Sequence, residues 1–97
     1  MSIRVLHEEA TKRFVIHADL GDAVLEYDRP DPLAIDLIRT YVPDSLRGRG
    51  FAGALVKYAL EFADDEGIEV LATCPYVKRY VQRHPKYKEL VGDPIPV

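Results

Sequence analysis

The sequence predicts an α+β domain with the element order β-β-β-β-α-β-α. Short, β-branched, roughly alternating runs fill the first half of the chain, as strands do. From Gly50 to Glu66 the apolar period lengthens to three or four residues, as in an amphipathic helix. A further apolar run follows that helix, so the fourth strand, the helix and the fifth strand make one βαβ unit. Its two strands should run parallel, behind an antiparallel meander.

The elements follow in order. "IRVLHEE" (3–9), "KRFVIHA" (12–18) and "AVLEYD" (23–28) are the meander, separated by polar or glycine-containing turns. "DRPDP" (28–32) should break the chain, because Pro30 and Pro32 cannot donate to a regular ladder. "LAIDLIRTYV" (33–42) is a longer strand stopped by Pro43, its odd positions Leu33, Ile35, Leu37 and Tyr41 forming an apolar face that Arg39 interrupts. In the helix, Phe51, Leu55, Ala59 and Phe62 form the stripe, widened by Val56 and Ala63, and Gly67 is the stop. "IEVLATC" (68–74) is the fifth strand. "PYVKRYVQRH" (75–84) opens with a helix-compatible proline and places Val77, Tyr80, Val81 and His84 on one face. "PKYKELV" (85–91) adds a helical turn, and "GDPIPV" is a tail.

Length and composition narrow the function classes. Ninety-seven residues, 47% of them hydrophobic, suit one domain over 1–97. A net charge of −3 argues against nucleic acid or an anionic membrane as the main partner. One cysteine excludes an internal disulfide and fits a reducing compartment. The first twenty residues carry Glu8, Glu9 and Asp19 without an apolar run, so no signal peptide is expected. A cytoplasmic location is therefore expected. The oligomeric state is not encoded in these features, and a homodimer is compatible with them.

"LRGRGFAG" (46–53) carries two signatures at once. Gly48, Gly50 and Gly53 spell the G-x-G-x-x-G of dinucleotide-binding loops, with Glu69 ~20 residues beyond as a candidate ribose ligand. Arg47, Gly50 and Ala52 spell the [QR]-x-x-G-x-[GA] of acyl-CoA-binding loops. The dinucleotide fold fits poorly. "PDSLR" separates the glycines from their strand, Glu69 begins the second strand instead of ending it, and a doubly wound fold needs several βαβ units. The acyl-CoA loop explains the charge pattern. Arg47 and Arg49 precede a helix start, where the macrodipole disfavours cations, and Asp64, Asp65 and Glu66 crowd the end where it disfavours anions. A polyanion docked on free backbone N–H groups would account for the arginines. Gly48 and Gly50 would let the backbone approach its oxygens.

"YVPDSLRGRGFAGALVKYALEFADDEG" together with "CPYVKRYVQRHPKYKELV" resembles the small, single-domain members of the GNAT acyltransferase superfamily, over nearly the whole chain. The resemblance implies acetyl-CoA as co-substrate, lying between fourth and fifth strands that splay apart, with Pro43 expected to mark where pairing fails. It implies that Val42 contacts pantetheine and that Arg47, Gly48, Arg49, Gly50 and Ala52 surround the pyrophosphate. It further implies N-acetyl transfer to an amine acceptor. Two departures qualify this: "EEATKR" is only a turn where larger members insert acceptor-shaping helices, and Arg39 stands where small members usually carry histidine. A guanidinium cannot shuttle protons as imidazole does. An acetyl-CoA-binding sensor or accessory subunit without efficient turnover is the alternative reading.

Two residues are candidates for chemistry. Tyr80, with Tyr76 as its alternate, matches the family's acid on the helix after the fifth strand, although it equally suits the core face of Val77 and Val81. Cys74 precedes Pro75 and so should cap that helix, a place that favours the reactive thiolate; the competing role is a small buried residue. No metal site is expected, since His7, His17, His84 and Cys74 lack ligand spacing. His84, before Pro85, is expected to fix a helix end. Glu26 and Asp36 are possible bases that more commonly face solvent.

Overall fold

The computed structural model describes residues 3–92. Its strands are β1 (Leu6–Glu8), β2 (Arg13–Ala18), β3 (Gly21–Asp31), β4 (Ala34–Tyr41) and β5 (Glu69–Ala72); its helices are α1 (Phe51–Glu66) and α2 (Pro75–Arg83). The strands form one sheet in chain order, antiparallel from β1 to β4 and parallel between β4 and β5. This is the α+β architecture the sequence predicts.

Both helices lie on one face of the sheet. Phe14, Ile16, Ala23, Leu25, Tyr27, Ile35, Leu37, Val70 and Ala72 project to that face and share a core with Leu55, Val56, Ala59, Leu60 and Ala63 of α1 and with Val77 and Val81 of α2. The other face is held by cross-strand rows. Leu6, Val15, Val24 and Tyr41 stand opposite one another across four strands, and beside them runs Glu8, Arg13, Glu26 and Arg39, alternating in charge. Two contacts in that charged row are close: Arg13 Nε to Glu8 Oε1 at 2.6 Å and Arg39 Nε to Glu26 Oε1 at 2.9 Å. Opposite charges directly across a ladder reinforce its register.

Several expectations change. β3 does not stop before "DRPDP" but runs through Pro30 to Asp31. Its register with β4 shifts between Asp28 and Asp31, so the proline occupies an irregularity where no regular ladder bond is required. A second shift lies between the pairs Glu26–Arg39 and Tyr27–Leu37, leaving Ile38 as an extra residue on β4. Side-chain alternation reverses there. Arg39 therefore does not interrupt the apolar face: Ile35 and Leu37 face the helices, while Arg39 and Tyr41 face the open side. Leu33, expected within that face, precedes the strand and is 71% exposed. Val91, expected in the helical turn of "PKYKELV", leaves it to bridge Val70, and the "GDPIPV" tail begins with structure, since the Gly92 N–H donates to Val70 O at 2.8 Å. The remainder of that tail lies outside the described residues.

Helix boundaries follow their local signals. Gly67 closes α1 in the left-handed region at φ 68°, and the Ile68 N–H donates back to Ala63 O at 3.0 Å. Pro75 opens α2, and His84 caps it with Nδ1 donating to Tyr80 O at 2.9 Å. "PKYKEL" (85–90) forms the expected helical turn, of the tighter 3-10 type.

Candidate active site

The parallel pair comes apart early. Its registered partners run only from Ala34–Glu69 to Leu37–Ala72, and the Cys74 N–H makes the last contact, donating to Leu37 O at 2.9 Å. Separation was expected at Pro43, from its missing N–H. It begins at the Ile38 bulge, because β4 kinks there while β5 turns away into α2. From Ile38 to Tyr41, β4 keeps β3 on one side and meets no strand on the other among the described residues.

Across this opening Thr40 faces Cys74, with Oγ1 and Sγ 3.5 Å apart. Cys74 takes the N-cap position of α2 as expected, though its sulfur makes no capping hydrogen bond, and it is 4% exposed and part of the core. Sequence reasoning passed over Thr40, because uninterrupted alternation sets it on the face opposite Leu37. Its pairing with Leu25, a core residue, shows that the bulge returns it to the helix side.

The loop before α1 is built from a buried anchor and two left-handed glycines. Leu46, 1% exposed, ends a 3-10 turn over Asp44–Leu46. Gly48 and Gly50 then take φ 80° and 81°, a region that L side chains rarely adopt. A Cβ at either would meet nothing within 4 Å, so backbone conformation, not crowding by the protein, demands glycine there. Gly50 is the N-cap of α1 and offers no side-chain acceptor. The first intrahelical bond is donated by Ala54 to Gly50 O, so the preceding amides of Phe51, Ala52 and Gly53 begin the helix without a capping side chain.

The other residues of the predicted loop sit around this end. Ala52 is half-buried in the first turn of α1, and Arg49 is exposed. Arg47 folds back, pairing with Asp44 at 3.1 Å and donating to the carbonyl of the half-buried Val42 at 3.4 Å. Gly53, the last glycine of the dinucleotide-like pattern, instead faces α2: a Cβ there would lie 3.7 Å from both Tyr76 Oη and Tyr80 Cε2. Tyr80 is half-buried and stacks on His84 at 4.1 Å. Burial raises its phenol above the usual tyrosine value, helped by Tyr87, Tyr76 and the Glu61 carboxylate. It therefore stays protonated at neutral pH.

Thus the opened β4 edge, the glycine-capped helix and the α2 N-terminus converge, bringing Val42, the 47–52 loop, Thr40 and Cys74 to one end of the parallel pair. Among the described residues, no group of His, Cys, Asp or Glu is placed to hold a metal. No described helix is long and apolar enough to cross a membrane.

This mixed sheet, with a parallel pair parted beside an uncapped helix start, defines a GNAT-like domain. The chain belongs to the GCN5-related N-acetyltransferase family, whose model matches residues 13–90. Relatives include Protein NATD1 of Homo sapiens, 38% identical over 85 residues that cover 86% of this chain and 75% of the relative. Protein NATD1 of Xenopus tropicalis is 37% identical over 86 residues, covering 87% and 79%. Among solved structures, a GCN5-like protein from Staphylococcus aureus superposes with a TM-score of 0.72 at 24% identity, covering 94% of this chain and 90% of that one. That likeness supports the fold.

Proposed function

We propose that this domain transfers an acetyl group from acetyl-CoA to the nitrogen of a small-molecule or peptide amine. The observation that carries the proposal is the uncapped, glycine-led start of α1 beside a β4 edge that has no strand partner among the described residues. The first can take a pyrophosphate on its amides, and the second can take the amide groups of a pantetheine arm as a strand would. Arg47, Gly48, Arg49, Gly50 and Ala52 are assigned to the pyrophosphate and Val42 to pantetheine. Both glycines leave open space where a Cβ would project, which fits a ligand lying against the backbone.

When bound, acetyl-CoA supplies an activated thioester. The chain's own groups must orient it, accept the amine's proton and protonate the departing sulfur. Tyr80, held protonated by burial, is assigned the last task. Cys74 offers a second route: its sulfur accepts the acetyl group as the thiol proton passes to the CoA sulfur, and the amine then takes the acetyl group from it while an amine proton returns to the cysteine sulfur. Thr40 positions that thiol. The binding-only alternative draws on the same structure. Cys74 is buried, and the turn between β1 and β2 holds one short 3-10 helix, Glu9–Thr11, too short to wall an acceptor pocket.

Thermal melts with acetyl-CoA, CoA and NAD test the reading. A ligand that binds only the native state stabilises it by ~2.7 kcal/mol at a hundredfold excess over its dissociation constant, on the order of 10 °C for a domain this size. Acetyl-CoA and CoA should raise the midpoint and NAD should not; the reverse would overturn the proposal. Intact mass after incubation with acetyl-CoA then separates the chemical routes. A +acetyl adduct in wild type but not in Cys74→Ser supports the cysteine route, whereas thiol release with an amine panel and no adduct supports direct transfer.

A further inference from the structure

The sheet face turned away from α1 and α2 carries no helix among the described residues. Three rows of cross-strand partners cover it. Leu6, Val15, Val24 and Tyr41 are apolar; Glu8, Arg13, Glu26 and Arg39 alternate in charge; His17 stands opposite Asp22. Val15 is already covered by its neighbours, but Leu6 and Val24 are half-buried and Tyr41 is 51% exposed. With both signs interleaved, the face offers no single-sign field to a polyanion or a membrane. It instead suits a partner with the same alternation reversed.

This chain is such a partner for itself. Let a second copy lie face to face about a two-fold axis that runs along the strands, midway between β2 and β3. β2 then meets the second copy's β3, and β1 meets its β4. Arg13 faces the second copy's Glu26, His17 faces its Asp22, and Glu8 faces its Arg39. In the apolar row, Val24 faces the second copy's Val15, and Tyr41 faces its Leu6. Every pair occurs twice, as in any isologous contact, and none sets like charges together. We propose that this face is an interface between two copies of the chain. The pairs within each row do not prevent it, because a guanidinium has further N–H donors and a carboxylate further acceptor sites. Sheets stacked at about 30° displace the outer pairs most, within the reach of arginine and glutamate side chains. Four strands ~4.8 Å apart, crossed by rows ~7 Å apart, give a face of about 400 Å² in projection. That is small for a specific interface, so the association should be weak. In the dimer the second copy's β1 lies over Arg39 and Tyr41, roofing the open side of β4 beyond Ile38. The inference does not depend on acetyl-CoA and is tested without it.

Sedimentation equilibrium from low micromolar to millimolar protein tests it with two charge reversals, Arg39→Glu and Glu8→Arg. Wild type should associate reversibly into dimers, less so with added salt. Each variant alone sets like charges across the interface at two places and should dimerise roughly tenfold or more weakly. An equimolar mixture should recover most of the wild-type association, because the introduced carboxylate then meets the introduced guanidinium. A purely structural role for these residues would give no rescue in trans. Circular dichroism checks that each variant folds. If a reversal unfolds the chain, Tyr41→Ser, at an exposed position, takes its place and should weaken association several-fold. Wild type that stays monomeric at millimolar concentration, dimers indifferent to the substitutions, or a mixture no stronger than its components would each overturn the proposal.

Discussion

β4 changes character at Ile38. Before it, Ala34, Ile35 and Leu37 are buried, with strands on both sides and helices above. After it, Arg39 and Tyr41 are exposed, and among the described residues only β3 remains as a strand partner. One half of the strand is core and the other is one side of the proposed site. The difference comes from a single inserted residue, which ends the parallel ladder and exchanges the faces of everything that follows. A small domain can thus release hydrogen-bonding edge for a ligand without giving up the sheet that positions it.

The largest expected effect lies in the first half. Leu37 is completely buried, so Leu37→Ala should cost ~2–5 kcal/mol through lost burial and a residual cavity. Thr40→Val, three residues on, should cost only about 0.5–1.5 kcal/mol, the worth of one hydrogen bond. Urea unfolding of both variants measures the contrast, and acetyl-CoA titration of the folded fraction completes it. Leu37→Ala should leave affinity per folded molecule unchanged, while Thr40→Val should alter the labelling rate of Cys74. Equal costs would erase the division between the halves.

Local signals made much of the molecule legible in advance. Gly67 and Pro75 mark a helix end and a helix start through their own backbone restrictions, and the loop glycines announce themselves in the same way. The Ile38 bulge has no such signal. In "IDLIRTY" Arg39 breaks the alternation, but only the register against β3 shows that an extra residue is the cause. For that reason alternation alone passes over Thr40, places the separation at Pro43 and makes Arg39 a defect in an apolar face. Pro30 and Val91 depart from their local signals for a related reason: what each pairs with is set by strands distant in sequence.

A second contrast is in pH response, and it belongs to the buried half. Tyr27 stands opposite Leu37 and lies 2.6 Å from His7 Nε2, in a cluster where His7 stacks on Phe14 at 4.3 Å. Burial lowers the His7 pKa, with Arg29 acting in the same direction and Glu9 opposing. The unfolded chain therefore takes up this proton at a higher pH than the folded one. Above about pH 6.5 both states are neutral at His7 and its burial costs nothing electrostatically. As pH falls below 6.5, stability should decline by up to ~1.4 kcal/mol per unit until the folded imidazole also protonates. Glu8 and Asp28, whose carboxyls are lowered by Arg13 and Lys12, respond only in a more acidic window. Urea midpoints between pH 7.5 and 5 should fall for wild type and stay flatter for His7→Gln, which keeps a hydrogen-bonding group for Tyr27. A wild-type profile as flat as the variant's would place His7 outside the stability balance.

The smallest expected effect is at Arg39, on the released half. The family resemblance makes this position notable, since histidine is usual there. The geometry gives the arginine a structural role: it ends the row Glu8, Arg13, Glu26 and Arg39, and pairs with Glu26 while 68% exposed. An exposed pair of this kind contributes about 0–1 kcal/mol. Residue 39 also faces the open side of the sheet, whereas Thr40 and Cys74 meet on the helix side. Arg39→His should therefore shift stability by less than ~0.5 kcal/mol and leave the alkylation rate of Cys74 unchanged from pH 6 to 8. If imidazole at this position reached the thiol, the labelling profile would acquire a new inflection near pH 6.5. That inflection would mean that the strand turns its side chains across the opening when the site is in use, and that the two faces of β4 beyond Ile38 are less separate than their register implies.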